Sequence, residues 1–269
     1  MIRSSKLLFF TGLVSLASFA LMANTTTHKF KDRVYKDSDF SRNQGWFMGA
    51  GVGDGWLKVS SSTQYVSYAP YDYVDSYTTK QTVMTNPIPS VEGGYRWRSS
   101  DQLPLMYFVG LRYRYYRDNL KGNTLVLNDP AFPYGFNYDI SAQALSLFAK
   151  IDLIKWGRFA PYVTAGIGGA SLRFSSYSEY PETDVSITKV SSAFASKSTF
   201  NFIYDLGVGL DYYLTNSWLI SLGYDYVNVG KLKTGSGAYN TFTGTTSSLN
   251  LGIVQANIIF LQANYLFNA

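Results

Sequence analysis

The stretch FNFIYDLGVGLDYYL, residues 200–214, places an apolar or aromatic side chain at every second position. The intervening positions hold mostly polar, acidic or glycine residues, among them Asp205 and Asp211. Because successive side chains of a β-strand point to opposite faces, this alternation predicts a strand with one apolar face and one polar face. A face that stays apolar along a whole strand, with acids opposite it, is typical of a strand in contact with membrane hydrocarbon.

The same alternation recurs in seven further segments, namely residues 46–60, 91–97, 107–116, 144–153, 160–174, 218–228 and 249–267. After the first residues, no segment offers the roughly 20 consecutive apolar residues that a transmembrane helix requires. A chain that crosses a bilayer without such helices must close its strands into a barrel, which pairs every backbone N–H and C=O group. The sequence therefore predicts an all-β fold, an eight-stranded antiparallel up-and-down transmembrane β-barrel over residues 45–269.

The connections between these segments alternate in length. Short links are expected at residues 98–103, 154–158 and 215–217, and long polar links at residues 61–86, 118–139, 175–199 and 231–248. Short periplasmic turns and long extracellular loops are the pattern of an outer-membrane barrel. The segment SITKV, residues 186–190, leaves open an additional hairpin, so the strand number ranges from eight to ten.

Aromatic residues make up 17% of the 269 residues, more than a soluble core of this size needs. Lipid-facing positions and the membrane interface would house this excess, because amphipathic rings favour the interface. The residues expected at the interface are Trp46, Trp97, Trp156, Trp218, Tyr265 and Phe267. The alternative is that the tryptophans are ordinary core residues that happen to lie near turns.

The first 23 residues combine Arg3 and Lys6 with an apolar run and small residues at Ala20 and Ala23. This predicts a secretory signal peptide over residues 1–23, cleaved after Ala20 or Ala23, with an uncleaved membrane anchor as the alternative. Residues 24–44 are expected to form a polar periplasmic leader. Loss of Arg3 and Lys6 lowers the formal net charge from +5 to +3, which is not a nucleic-acid-binding signature.

Charged residues at the positions opposite the apolar faces are the candidate site. They are Glu92, Arg96, Arg112, Arg114, Lys150, Asp152, Asp205, Asp211 and Asp225. An eight-stranded barrel is just wide enough for side chains to fill, so we expect these charges to pair across the lumen and plug it. The first pair expected is Glu92 with Arg112 or Arg114; a gated or leaky ion path is the alternative.

Catalytic chemistry has little support in the sequence. The absence of cysteine excludes a disulfide framework, a thiol nucleophile and any cysteine-based metal site. The sole histidine, His28, lies in the polar leader beside Lys29, where it is expected to be solvated. We therefore expect no catalytic residue, no metal and no cofactor.

The glycine-rich first strand WFMGAGVGDG (46–55), the segment PYVTAGIGG (161–169) and the aromatic-rich last strand carry a family resemblance. The chain resembles the superfamily of small outer-membrane β-barrels that includes the OmpA membrane domain and opacity-type surface antigens. The resemblance implies a place in the outer membrane of a Gram-negative cell, contact with outer-membrane lipid and lipopolysaccharide, and insertion by the barrel assembly machinery. Such barrels usually end on an aromatic residue, whereas here Asn268 and Ala269 follow Phe267.

This superfamily hosts anchors, adhesins, small pores and enzymes, so the fold alone does not give the activity. Tyrosine and serine dominate residues 63–79, 127–139 and 175–184, a composition found in recognition surfaces and also in polar extensions of strands. We expect a structural or adhesive surface protein that contacts a host or matrix ligand through its loops, without catalysis. The alternative is a small-solute pore or transporter, and a lipid-modifying enzyme is a third, weaker interpretation.

Overall fold

The computed structural model describes residues 44–60, 63–68, 73–79, 84–99, 105–131, 133–153, 155–182, 192–239 and 245–267. The expected signal peptide, most of the expected leader with His28, and residues 186–190 lie outside these ranges. No helix in the described ranges is long and apolar enough to cross a membrane. The strands are β1 (Gln44–Val59), β2 (Thr63–Tyr68), β3 (Tyr73–Thr79), β4 (Met84–Arg98), β5 (Met106–Leu125), β6 (Pro133–Asp152), β7 (Phe159–Pro181), β8 (Ser192–Phe194), β9 (Lys197–Tyr213), β10 (Trp218–Lys233), β11 (Gly237–Tyr239), β12 (Thr245–Thr246) and β13 (Asn250–Leu266).

Eight long strands form a closed antiparallel ring in the order β1, β4, β5, β6, β7, β9, β10 and β13. The ring closes where β1 pairs with β13, from Phe47 opposite Leu266 to Val59 opposite Val254. Neighbours in the ring are neighbours among the long strands of the chain, so the topology is up-and-down. The predicted eight-stranded barrel is confirmed.

The alternation along β9 separates lipid from lumen. Phe200, Phe202 and Leu206 are exposed on the outer surface, whereas Ile203 and Asp205 are buried inside. A charged side chain on the lipid face would cost about 2 to 4 kcal/mol at the bilayer midplane. The register of each strand is thereby fixed by which of its faces can contact hydrocarbon.

Three strands extend far beyond the membrane. β5, β6 and β7 contain 20, 20 and 23 residues, whereas a tilted strand needs about 9 to 11 residues to cross the bilayer. The expected long link at residues 118–139 is therefore wrong for the most part, since strand pairing continues to Leu125 and resumes at Pro133. Within the expected link at residues 175–199, β7 continues to Pro181, and residues 183–191 lie outside the described ranges. Above the membrane neither face of a strand has to be apolar, although the backbone groups still pair. The alternation that predicts a strand is therefore missing from these extensions.

The other two expected long links also contain paired strands. Residues 61–86 include the β2–β3 hairpin and the start of β4, and residues 231–248 include β11 and β12. β3 pairs with the outer end of β5, from Ser76 opposite Leu125 to Thr79 opposite Gly122. β8, β11 and β12 form a separate three-stranded sheet.

The hairpin also reaches the last strand. The Gln64 side chain hydrogen-bonds both backbone groups of Asn250, with its Oε1 accepting from the Asn250 N–H at 2.8 Å and its Nε2 donating to the carbonyl. Ser60 at the end of β1 accepts the Ile253 N–H at 2.8 Å. The hairpin thus joins β5 to β13 at the outer rim, where β1 has ended.

Apolar layers lie near both ends of the interior. Near the periplasmic end, Phe47 contacts Phe108 at 5.4 Å and Phe148 at 6.2 Å between ring centroids. The outer half holds a larger buried cluster that includes Ile88, Ile140 and residues from every ring strand. Charged side chains occupy the levels adjoining and between these layers.

Candidate functional site

The nine predicted charged side chains all project into the barrel, and each is at most 6% exposed. We call them the lumen charge cluster. They are Glu92 and Arg96 from β4, Arg112 and Arg114 from β5, Lys150 and Asp152 from β6, Asp205 and Asp211 from β9, and Asp225 from β10. The cluster holds five acids and four bases, so its charges nearly balance.

Arg112 is the centre of the larger part of the cluster. Its Nε donates to Glu92 Oε2 at 2.7 Å, and Glu92 is its register partner across the β4–β5 ladder. Its Nη1 lies 3.3 Å from Asp205 Oδ1 and 3.5 Å from Asp225 Oδ2. Arg114 Nη2 also donates to Asp225. Two guanidinium groups are therefore shared among three carboxylates from three different strands.

The rest of the cluster lies nearer the periplasmic end. Lys150 Nζ donates to Asp211 Oδ2 at 2.6 Å. The Tyr213 hydroxyl donates to Asp152 Oδ2 at 2.7 Å. Arg96 is attracted electrostatically to Asp152, although its Nε has no hydrogen-bond partner among the described residues. The structure thus brings eight of the nine residues into direct hydrogen bonds and leaves Arg96 with a longer-range attraction.

Aromatic rings also contact two of the cluster cations, Arg112 and Lys150. The Arg112 guanidinium carbon lies 4.2 Å from the centroid of Phe148, and Lys150 Nζ lies 4.3 Å from that of Phe108. Cation–π contacts of this kind are worth about 2 kcal/mol or more when desolvated. The rings also fill lumen space that water would otherwise occupy.

Uncharged polar residues fill the lumen beside β1. Gln262 Nε2 donates to Asn264 Oδ1 at 2.9 Å, and Asn264 Nδ2 donates to Ser221 Oγ at 3.3 Å. The inward glycines of β1 leave room for these amides. A Cβ atom on Gly49 would lie 1.8 Å from Asn264 Oδ1, so a larger residue there would collide with the amide. The glycine-rich stretch of β1, residues 49–55, is therefore a strand whose inward glycines leave space for larger side chains in the lumen.

The outer end of the barrel holds a set of buried and partly buried rings that we call the outer aromatic cluster. It consists of Tyr77, Phe136, Tyr138, Phe174, Tyr177 and Phe194. Phe194 of β8 packs edge-on against Tyr77 at 5.6 Å and Tyr177 at 5.1 Å. Tyr77 and Tyr177 both donate their hydroxyl groups to Glu179. The hairpin, the small sheet and the tall strands thus meet over the lumen.

The predicted interface aromatics lie on the outer surface near the short turns. Trp46 is 64% exposed, and the other five are 37% to 48% exposed. The five are Trp97, Trp156, Trp218, Tyr265 and Phe267. Trp218 contacts Tyr265 at 5.2 Å, and Tyr265 contacts Phe267 at 4.9 Å, so adjacent strands share one aromatic rim.

Residues 13–254 match the family described as outer membrane protein beta-barrel domain. The chain belongs to this family. It is an outer-membrane β-barrel of a Gram-negative cell, and it lies in the lipid and lipopolysaccharide environment of that membrane. The resemblance of its first, fifth and last ring strands to small outer-membrane barrels is thus confirmed.

Among proteins with sequence similarity to this outer-membrane barrel is outer membrane protein PagN of Salmonella typhimurium. The two are 23% identical over 146 residues, which is 54% of this chain and 59% of PagN. The chain therefore spans less than two thirds of the length of this relative.

Similar solved structures include Neisserial surface protein A, with 14% identity, a TM-score of 0.40, and coverage of 83% of this chain and 97% of that one. OprG of Pseudomonas aeruginosa has 15% identity and a TM-score of 0.43, covering 84% and 98%. Ail, the attachment invasion locus protein of Yersinia pestis, has 12% identity and a TM-score of 0.38, covering 84% and 99%.

Several interior polar residues of this outer-membrane barrel were not predicted as site residues. Tyr116 and Asp118 of β5 and Tyr138 of β6 are at most 3% exposed and lie inside the outer half. The sequence signal was available, because Tyr116 and Asp118 continue the inward phase of Arg112 and Arg114. The prediction of a long polar link from residue 118 onward conceals this signal, since β5 continues to Leu125. In the described ranges, no group of three or more His, Asp or Glu side chains has the geometry of a metal site.

Proposed function

We propose that this outer-membrane barrel is a non-catalytic surface protein that binds a host or matrix ligand through its extracellular end. The observation that carries the proposal is the folded platform above the membrane. There the tall strands β5 to β7, the β2–β3 hairpin and the sheet of β8, β11 and β12 meet around the outer aromatic cluster. A rigid platform suits recognition, because less conformational entropy is lost when a ligand binds.

The platform presents side chains suited to a protein or glycan ligand. Tyr65 of the hairpin is 64% exposed, and Tyr180 at the end of β7 is 39% exposed. Rigid tyrosine rings provide contact area at low entropic cost, and the neighbouring serine and threonine side chains provide adaptable hydrogen bonds. A ligand would therefore contact the hairpin and the end of β7.

The filled lumen supports an anchor more than a pore. Arg112 joins strands on opposite sides of the ring, and Lys150 is paired with Asp211 at a lower level. An ion crossing the barrel would have to displace these buried pairs, which is strongly unfavourable once one partner loses the other. Lumen plugging by the charge cluster is therefore part of the proposal.

Lipopolysaccharide is the partner proposed for the outer wall. Arg117 and Arg173 are exposed and flank Ser141 in one transverse row across β5, β6 and β7. Two strand spacings separate them, roughly 10 Å. Arginine binds phosphate through paired, charge-assisted hydrogen bonds, so this row suits the phosphates of lipid A. Insertion into the membrane is assigned to the barrel assembly machinery.

The adhesive role is tested by replacing residues 63–79 with a glycine-serine linker of equal length. Cells that display this variant should lose binding to epithelial cells and to immobilised matrix proteins, while cells with the unaltered protein should bind more than cells lacking it. Heat-modifiable gel mobility serves as the control for an intact barrel. Unchanged binding would exclude the hairpin as the contact, and equal binding by cells lacking the protein would refute the adhesive role.

A further inference from the structure

The barrel wall contains a break between β4 and β5. Below it, the two strands pair from Arg98 opposite Met106 up to Ser90 opposite Arg114. Above it, β5 pairs on this side with β3, starting at Gly122. Within the described residues, positions 115–121 of β5 have no ladder partner on this side. Between the described residues of β4 and β5, the wall is therefore joined here by side chains and not by a backbone ladder.

Two prolines lie on the other side of this break. Pro87 and Pro89 of β4 pair with Asp54 and Val52 of β1. Proline lacks a backbone N–H and is confined to edges or bulges of sheets, so neither residue can donate to β5. The sequence of β4 therefore prevents a full ladder from forming where the break occurs.

Asp118 of β5 lies inside this break. It is 3% exposed, and its Oδ1 accepts hydrogen bonds from Asn86 Nδ2 of β4 at 2.9 Å and from the Asn119 N–H at 2.7 Å. Its Oδ2 is buried without a partner, and within the described part of the chain no lysine or arginine forms an ion pair with Asp118. Asp118 differs in this respect from Asp211 and Asp225, each of which contacts a cation.

Tyr138 of β6 lies diagonally across the β5–β6 ladder from Asp118, because its register partner Leu120 is two residues from Asp118 on the same inward face. Tyr138 is fully buried, and its hydroxyl has no hydrogen-bond partner among the described residues. Asp118 is opposite Ile140 across the β5–β6 ladder, and Ile88 and Leu120 belong to the same buried apolar cluster. Two buried oxygen atoms without hydrogen-bond partners thus lie among apolar side chains.

We propose that Asp118 and Tyr138 form a binding site for an organic ammonium group, which reaches them through the break between β4 and β5. A buried carboxylate is costly unless a positive charge or further hydrogen bonds compensate it. An ammonium group supplies the charge and donates to both Asp118 Oδ2 and Tyr138 Oη, which accept hydrogen bonds. A short alkyl chain on the nitrogen would contact Ile88, Leu120 and Ile140. The site lies in the barrel wall and does not depend on adhesion.

The test uses the full barrel in phosphatidylcholine nanodiscs, with the methyl groups of Ile140 as the nuclear magnetic resonance probe. n-Butylammonium is the ligand, and n-butanol and pentanoate are probes that carry the same butyl chain without a positive charge. We expect butylammonium to shift the Ile140 resonance saturably. Asp118→Asn should weaken its affinity by at least about tenfold, because a charge-assisted hydrogen bond is lost.

Asp139→Asn is the matched control. Asp139 is the next residue of β6 but lies on the outer face, where it accepts a hydrogen bond from Asn119 Nδ2 at 2.8 Å. Its replacement removes the same charge at the same height, so we expect a change of less than about twofold. Tyr138→Phe keeps the Asp118 carboxylate and should weaken the affinity for butylammonium by a factor between those of the other two variants. It replaces Asp118→Asn in the test if that variant does not reach the heat-modifiable folded form.

Three results would overturn the proposal. The first is the absence of any saturable shift with butylammonium in the unaltered protein. The second is equal affinity for butylammonium and butanol, which would indicate an apolar cavity without charge recognition. The third is an equal loss of affinity in Asp118→Asn and Asp139→Asn, which would indicate a general effect of surface charge.

Discussion

Arg112 and Asp225 join opposite sides of the barrel, since β5 and β10 lie four places apart in the eight-stranded ring. The Arg112 Nη1 atom is 3.5 Å from Asp225 Oδ2, while Arg112 Nε holds Glu92 on the adjacent strand at 2.7 Å. A single guanidinium group therefore spans the lumen at this level. Its removal should affect both the stability of the barrel and the filling of its interior.

Arg112→Met should destabilise the barrel by about 3 to 5 kcal/mol, because Glu92, Asp205 and Asp225 would remain buried with Arg114 as their nearby cation. The measurement is equilibrium unfolding in urea of the protein in lipid vesicles. Arg117→Met, on the exposed face of the same strand, is the control and should change the free energy of unfolding by less than about 0.5 kcal/mol. Equal effects of the two substitutions would show that the lumen pairing contributes nothing.

The purified barrel should give no steady conductance in planar bilayers, because buried ion pairs and aromatic rings occupy its cross-section. Single-channel recording tests this, with heat-modifiable mobility confirming that the protein in the same preparation is folded. Discrete channels that vanish when Arg112 or Arg114 is neutralised would contradict lumen plugging and favour the pore interpretation.

Leu206→Arg should reduce stability by about 2 to 4 kcal/mol, since Leu206 lies on the lipid-facing surface within the membrane band. The matched substitution Gln143→Arg lies on the same surface near the outer interface and should cost about 0 to 1 kcal/mol. Folded fractions after refolding into vesicles across a urea series give both values. Similar costs at the two positions would refute the assigned depth of the membrane band.

Tyr77→Ala should loosen the hairpin, because Tyr77 is 2% exposed and packs against Phe136 and Phe194. Truncation of a buried aromatic residue leaves a cavity and costs about 3 to 5 kcal/mol. Proteolysis of the hairpin on intact cells should therefore accelerate, while the barrel keeps its heat-modifiable mobility. Tyr65→Ala, at an exposed position of the same hairpin, should leave the cleavage rate near that of the unaltered protein; the same acceleration in both variants would argue against the aromatic cluster as the cause.

The double substitution of Arg117 and Arg173 by glutamine should lower the amount of lipopolysaccharide that co-purifies with the barrel. Two arginine-phosphate contacts would be lost, and the residual binding should depend less on salt concentration. Arg98 and Arg158, near the periplasmic turns, provide the control pair when both are replaced by glutamine. Lipopolysaccharide retention that falls equally in both double variants would exclude a specific site on the outer wall.

The inward phase of β5 predicts Arg112 and Arg114 as lumen residues, and the structure extends that phase to Asp118, which is as buried as Arg112. Above the membrane both faces of a strand can be polar, so alternation no longer distinguishes a paired strand from a loop. The sequence does not predict which acids pair with Arg112 across the lumen either, because Arg112 is separated by 93 residues from Asp205 and by 113 from Asp225.

The sequence by itself determined that the chain crosses the membrane as a barrel of at least eight strands and which faces of those strands contact lipid. It did so because hydrocarbon tolerates no charge and therefore imposes a two-residue period that can be counted along the chain. Only the tertiary structure decided that Arg112 bridges Glu92 and Asp225, that the β2–β3 hairpin replaces β4 beside the outer end of β5, and that Asp118 lies in the break between β4 and β5. These features depend on the closure and stagger of the ring, which bring distant residues to one level in a way that no local pattern encodes.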